Sequence, residues 1–174
     1  MPKPSFVYTT YVSATPERLW QGLTDPVFTE RYWGVRLESD WHTGSSYVMH
    51  HDGVTIADPE QVVLEADPYR RLSYTWHTFT PEWAEVIGRR VGFSDEFLAR
   101  VMAEPRSKVS FEIEDRRDHV KLTVVHDDFG PGSAVLETIS QGWPRVLSNL
   151  KTLLETGGTP PGMSSAGRAE SATS

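Results

Sequence analysis

Residues 133–156, SAVLETISQGWPRVLSNLKTLLET, read as one long amphipathic helix, and that helix constrains what the rest of the chain can be. Leu136, Ile139, Trp143, Leu147, Leu150 and Leu154 recur at steps of three or four residues, which stacks them in a single apolar stripe. Glu137, Arg145, Asn149, Lys151 and Glu155 fall largely elsewhere on the wheel. Ser133 is a good N-cap, and Gly157-Gly158 is a stop signal. Pro144 removes one backbone donor inside the helix. A stripe of this length needs a broad apolar partner, and the chain ahead of it supplies one as strands.

The segment 6–12 alternates in strand fashion and is rich in Val, Tyr and Thr. Thr15-Pro16-Glu17 and then Asp25-Pro26 each give an N-cap followed by proline at the first helical position, so two short helices follow the first strand. A run of strands comes next, at 35–39, 45–51, 54–57, 60–66 and 71–79, with Pro59 marking an edge or a bulge. Val109, Phe111 and Ile113 share one face of 108–114, and Val120, Leu122, Val124 and His126 share one face of 120–126. Alternation of this kind is what an antiparallel sheet with one wet face requires. Between strands, 80–106 carries two helical patterns and reads as a helical insertion. One domain is therefore expected over 1–156, with a disordered tail of Gly, Pro, Ser, Thr and Ala over 157–174.

The fold class that follows is α+β: a curved antiparallel sheet wrapped around a long C-terminal helix, with two short helices after the first strand. Such a grip tends to leave a cavity between sheet and helix, where small apolar ligands bind. The net charge of −7 argues against nucleic acid and against anionic membrane surfaces as partners. The absence of cysteine removes disulfides and thiolate metal sites. MPKPSFVYTT lacks the apolar core of a signal peptide and no run is long enough to span a membrane, so a cytoplasmic setting is expected.

Four stretches carry a resemblance to a known family. They are Ala14-Thr15-Pro16-Glu17 with Leu19-Trp20 and Leu23-Thr24-Asp25-Pro26; Tyr32-Trp33 leading to Glu38-Ser39-Asp40-Trp41; Glu65-Ala66-Asp67-Pro68 with Leu72 to Trp76; and Leu122-Thr123-Val124 with His126-Asp127-Asp128-Phe129, Gly142-Trp143-Pro144 and Leu150. In this order they resemble the START-like (SRPBCC, Bet v 1-like, helix-grip) superfamily, and within it the bacterial relatives of the C-terminal domain of the Hsp90 ATPase activator. The insertion at 80–106 departs from the family, which usually has a shorter loop there. The resemblance implies binding of a small hydrophobic or aromatic ligand. It also brings two alternatives, a polyketide cyclase or aromatase type of enzyme and an Hsp90-type chaperone partner. In the relatives the chaperone activity also involves an additional N-terminal domain.

The residues expected to face a ligand are Trp33, Tyr74, Trp76, Phe111, Leu122, Val124, His126, Ile139, Trp143 and Leu147. His126 ends the inner face of its strand and, with Tyr74, is the candidate acid–base group should the chain be an enzyme. The competing reading of His126 is a buried histidine that fixes the turn before the last helix. The tryptophans read either as stacking partners for a flat molecule or as core. No metal or cofactor is expected: His50 and His51 are adjacent on a strand and point to opposite faces. The Arg89-Arg90 pair reads as surface, and Trp83 and Phe97, as exposed apolar residues of the insertion, are the candidate homodimer surface.

Overall fold

A computed structural model describes residues 3–158; the tail expected over 157–174 lies, from residue 159 on, outside the described residues. Strand β1 (Phe6–Val12) is followed by helices α1 (Pro16–Thr24) and α2 (Pro26–Trp33). The caps are those the residue types dictate. Thr15 Oγ1 accepts from the Arg18 amide at 3.1 Å, and Asp25 Oδ1 accepts from the Val27 amide at 2.9 Å. Gly34, at φ 79°, ends α2 in the left-handed conformation.

Strands β2 (Val35–Glu38), β3 (Val48–His51) and β4 (Val54–Ile56) form one antiparallel unit. The larger sheet, in order β1-β8-β7-β6-β5, adds β5 (Val63–Asp67), β6 (Arg71–Thr75), β7 (Lys108–Asp115) and β8 (Val120–Asp127). The two units are joined by the stretch ahead of β3. Gly44 and Val63 exchange backbone bonds with their opposites (Gly44 N to Val63 O, Val63 N to Ser45 O, both 2.8 Å), and Ser46 bridges Val62. The expected break at Pro59 is thus a bulge within one long hairpin. Gln61 is fully buried there, and its Nε2 donates to the Tyr47 and Ile56 carbonyls at 2.9 Å each, acceptors that the ladder leaves open at the bulge.

Helix α5 (Ala134–Thr156) runs along the inner face of this sheet and continues through Pro144. Leu147, Leu150 and Leu153 of α5 and Leu72, Val109, Leu122 and Val124 of the sheet are all buried. Each such side chain contributes about 1.5–3 kcal/mol by leaving water. Helix α1 approaches α5 closely enough that a Cβ built on Gly22 would stand 2.9 Å from Leu150 Cδ1.

The insertion lies between β6 and β7, which pair directly with each other (Leu72 opposite Phe111). It consists of a short helix α3 (Pro81–Trp83), a π-helical turn over Ala84–Gly88, and α4 (Asp95–Ala103). Side chains strap it down on three sides. Arg106 donates to both oxygens of Asp58 at 2.8 Å and to the Trp76 carbonyl at 2.8 Å. Arg100 reaches the Gly132 carbonyl at 3.0 Å, and Arg90 reaches Asp52 at 2.9 Å. Glu104 accepts from Ser133 Oγ at 2.5 Å and from the Ala134 amide at 2.6 Å, so a residue of the insertion caps the first turn of α5. Glu104→Gln is expected to lower stability by about 1 kcal/mol, read as a shifted urea midpoint with an unchanged m-value.

Trp83 corrects the expected dimer surface. It is 6% exposed, with Phe79 edge-on at 4.8 Å, and Phe97 is half-buried against Phe93 at 4.8 Å. The insertion turns Trp83, Ile87, Leu98 and Val101 inward, because three short helical segments must build a core of their own over the sheet, while Val91 and Met102 stay exposed.

Candidate functional site

Between α5, the end of α2, the β3–β4 turn and the insertion lies a cavity of about 360 Å³. That is near the lower end of the ~300–1,000 Å³ typical of small-molecule sites. Helix α5 contributes a stripe at steps of three and four: Thr138, Ile139, Gly142, Trp143, Arg145, Val146 and Asn149. The αL cap at Gly34 turns the chain straight from α2 into β2, which sets Tyr32 and Trp33 on the next wall. Trp76 comes from the residue after β6, and His51 and Asp52 from the β3–β4 turn. Ile87 comes from the π-helical turn, and Arg90 and Val91 from the residues just after it. A π-helical turn widens the helix locally, and such turns recur at functional sites.

Three indoles dominate the wall. Trp33 stacks on Trp76 at 5.9 Å with 17° between planes, Trp33 meets Trp143 at 5.4 Å, and Trp76 meets Trp143 at 5.5 Å. Trp76 is 4% exposed, and its Nε1–H has no acceptor among the described residues. A buried donor without an acceptor costs free energy, on the order of 1–3 kcal/mol, so it stands out on a cavity wall.

The residues singled out from sequence divide in two. Trp33, Trp76, Ile139 and Trp143 meet at the cavity. Tyr74, Phe111, Leu122, Val124, His126 and Leu147 are 0–2% exposed and stand behind its wall, where β6–β8 pack directly on α5. Among them His126 has a defined state. Trp143 Nε1 can only donate, and it does so to His126 Nδ1 at 3.0 Å, so the ring proton is on Nε2, 2.8 Å from Ser107 Oγ. Burial, with a minor contribution from His77, holds His126 neutral with a pKa pushed down to about 3. This imidazole is spent on anchoring Trp143 across the sheet–helix interface. Trp143→Phe keeps the ring in place but leaves His126 Nδ1 buried without a donor. We expect it to lower stability by about 2 kcal/mol in chemical denaturation.

Several cavity residues were not legible. Arg145 and Asn149 sit off the leucine stripe in a wheel plot, yet both line the cavity, and Asn149 is only 6% exposed. The physical reason is that α5 is gripped on more than one side, so its buried arc is wider than a single stripe. Asn149 Nδ2 donates to the Tyr32 carbonyl at 3.2 Å, which leaves its Oδ1 available as an acceptor. Arg90 lies on the surface as expected and also on the cavity rim.

Among the described residues no group of three or more His, Asp or Glu is placed to hold a metal ion. No helix among them is long and apolar enough to cross a membrane.

A family model described as "Activator of Hsp90 ATPase homolog 1-like protein" matches residues 13–155. No protein with a curated description matches the chain. Solved structures do. Protein MLL2253 from Mesorhizobium loti is 23% identical with a TM-score of 0.66, over 87% of this chain and 96% of that one. The Aha1 dimer from Colwellia psychrerythraea is 18% identical with a TM-score of 0.63, over 88% and 98%. CalU16 from Micromonospora echinospora is 18% identical with a TM-score of 0.61, over 97% and 83%. At these identities the likeness is one of fold.

Proposed function

The chain belongs to the Activator of Hsp90 ATPase homolog 1-like family, and on that premise we propose that it binds one small, flat, hydrophobic molecule in the cavity beside α5. The observation that carries this reading is the wall of three indoles, Trp33, Trp76 and Trp143, around an open volume of about 360 Å³. Aromatic faces at these separations are well suited to stack on another ring. The volume suits a molecule of a few fused rings better than a two-chain lipid. The orphan Trp76 Nε1–H gives such a molecule a reason to carry an acceptor atom.

In this reading the insertion over 80–106 is a lid, with Ile87 and Val91 facing the ligand and the Arg90–Asp52 pair as its latch. His126 is the anchor of Trp143 and neither acid nor base, since both ring nitrogens are engaged. Phe111, Leu122, Val124, Leu147 and Tyr74 support the wall from behind. The site of action we propose is the cytoplasm. The homodimer and chaperone partners that the family suggests are secondary to this reading.

The test is a titration with N-phenyl-1-naphthylamine, a neutral aromatic whose emission rises in apolar surroundings. Saturable one-to-one binding is expected, with quenching of tryptophan emission at the same midpoint. A linear, non-saturating signal that leaves the tryptophans unchanged contradicts the reading.

A further inference from the structure

We infer that the ligand is an aromatic acid whose anionic group lies at the mouth of the cavity against Arg145. This rests on the ligand-binding reading above and adds the chemical class of the ligand.

The mouth carries two guanidinium groups, Arg90 and Arg145, together with Asp52 and His51. Their pairings differ. Asp52, with its side chain 10% exposed, takes a hydrogen bond from Arg90 at 2.9 Å and has His51 Nε2 at 3.5 Å. Arg90 is thereby neutralised. Arg145 has no hydrogen bond or ion pair among the described residues, although it lines the same cavity one helical turn ahead of Asn149. Among the described residues the cavity lining holds two guanidinium groups and one carboxylate, a local positive balance on a chain whose net charge is −7. A chain of net charge −7 does not draw anions at long range, so a carboxylate is favoured only where a positive side chain stands close to it. A guanidinium is also the side chain best shaped to receive a carboxylate, through two parallel N–H donors. The apolar wall takes the rings, and Arg145 takes the charged end.

The test uses a matched pair. 2-Naphthoate and 2-naphthamide share their rings and differ in charge, and each is titrated against bound N-phenyl-1-naphthylamine. The unmodified protein is expected to prefer the acid by about fivefold, a value set by an exposed guanidinium–carboxylate contact and not a buried one. In Arg145→Gln the ratio of acid to amide affinity should fall to about one, a ratio from which any change common to both compounds cancels. Raising ionic strength should erode the acid's preference only in the unmodified protein. Equal displacement by acid and amide, or a preference that survives Arg145→Gln, overturns this inference while leaving the cavity reading intact. Failure of the neutral probe to bind, or binding unaffected by filling the cavity through Gly142→Phe, overturns the cavity reading and this inference with it. Arg145 is exposed, so the variant is not expected to unfold.

Discussion

Lowering the pH from 7.5 to 4 is expected to remove roughly 6 kcal/mol of stability, through two buried neutral histidines. His77 is 7% exposed and donates from Nδ1 to the Thr78 carbonyl at 2.7 Å; burial pushes its pKa down to about 4. His126 is fully buried, with a pKa of about 3. Both start from an ordinary value of 6.5 in the unfolded chain. Between 6.5 and the folded values the unfolded chain binds more protons than the folded one, so stability falls as pH falls. The contribution is complete above pH 6.5 and is lost down to about pH 3–4. The slope is about 1.4 kcal/mol per pH unit for each histidine, hence about 2.7 for the pair. Carboxyls held below their usual range join the loss only near and below the ordinary glutamate value of 4.5. Glu155, hydrogen-bonded by Lys151 and by the Ser13 amide, is an example. Urea midpoints measured every half unit of pH give the slope directly. His77→Gln and His126→Gln should each take away about half of it, whatever they do to stability at pH 8. A flat profile between pH 7 and 5 would mean that these imidazoles are not buried as neutral groups.

Gly142→Phe is expected to weaken binding of a neutral aromatic probe by about 100-fold or more, about 2.7 kcal/mol, without loss of the fold. Gly142 lines the cavity, and a Cβ built there meets no atom within 4 Å. Its φ lies outside the left-handed region, so an L side chain costs no backbone strain at this position. Within a helix glycine is the least favoured residue after proline, so the larger side chain should hold or slightly raise stability. The phenyl ring then occupies the volume a ligand needs, between Trp143 and Val146 on α5 and the insertion opposite. Gly142→Ala is the control: it should raise stability by about 0.5–1 kcal/mol and leave most of the cavity open. If Gly142→Phe unfolds the protein, the position is more tightly packed than the geometry has it. If it folds and binds the probe as before, the probe sits elsewhere.

The fold was readable because its signals are local and repeated. Thr15-Pro16 and Asp25-Pro26 cap their helices as their residue types require, and the alternation of Val109, Phe111, Leu122 and Val124 sets the buried face of β7 and β8. The leucine period of α5 names the side it buries against the sheet. A smaller part of the cavity was readable: Trp76, Ile139 and Trp143 lie on faces the periodicity assigns to the interior, and Trp33 belongs to a stretch that matches the family. Periodicity also selects Leu122, Val124, His126 and Leu147, and it cannot separate an interior position that faces a void from one that faces a neighbour. That difference depends on whether Trp143 reaches across to His126 or stops short, a matter of side-chain packing 17 residues apart in sequence. Arg90, Arg145 and Asn149 were missed for the converse reason. Their polarity sends them to the solvent side of a helical wheel, and only the width of the grip around α5 and the path of the insertion bring them to the rim.

The most direct measurement is native mass spectrometry of the unmodified protein and Gly142→Phe, purified side by side and then mixed with N-phenyl-1-naphthylamine. The account predicts one probe per chain on the unmodified protein and none on the variant. Equal occupancy on both, or none on either while both remain folded, would contradict a ligand-binding cavity beside α5.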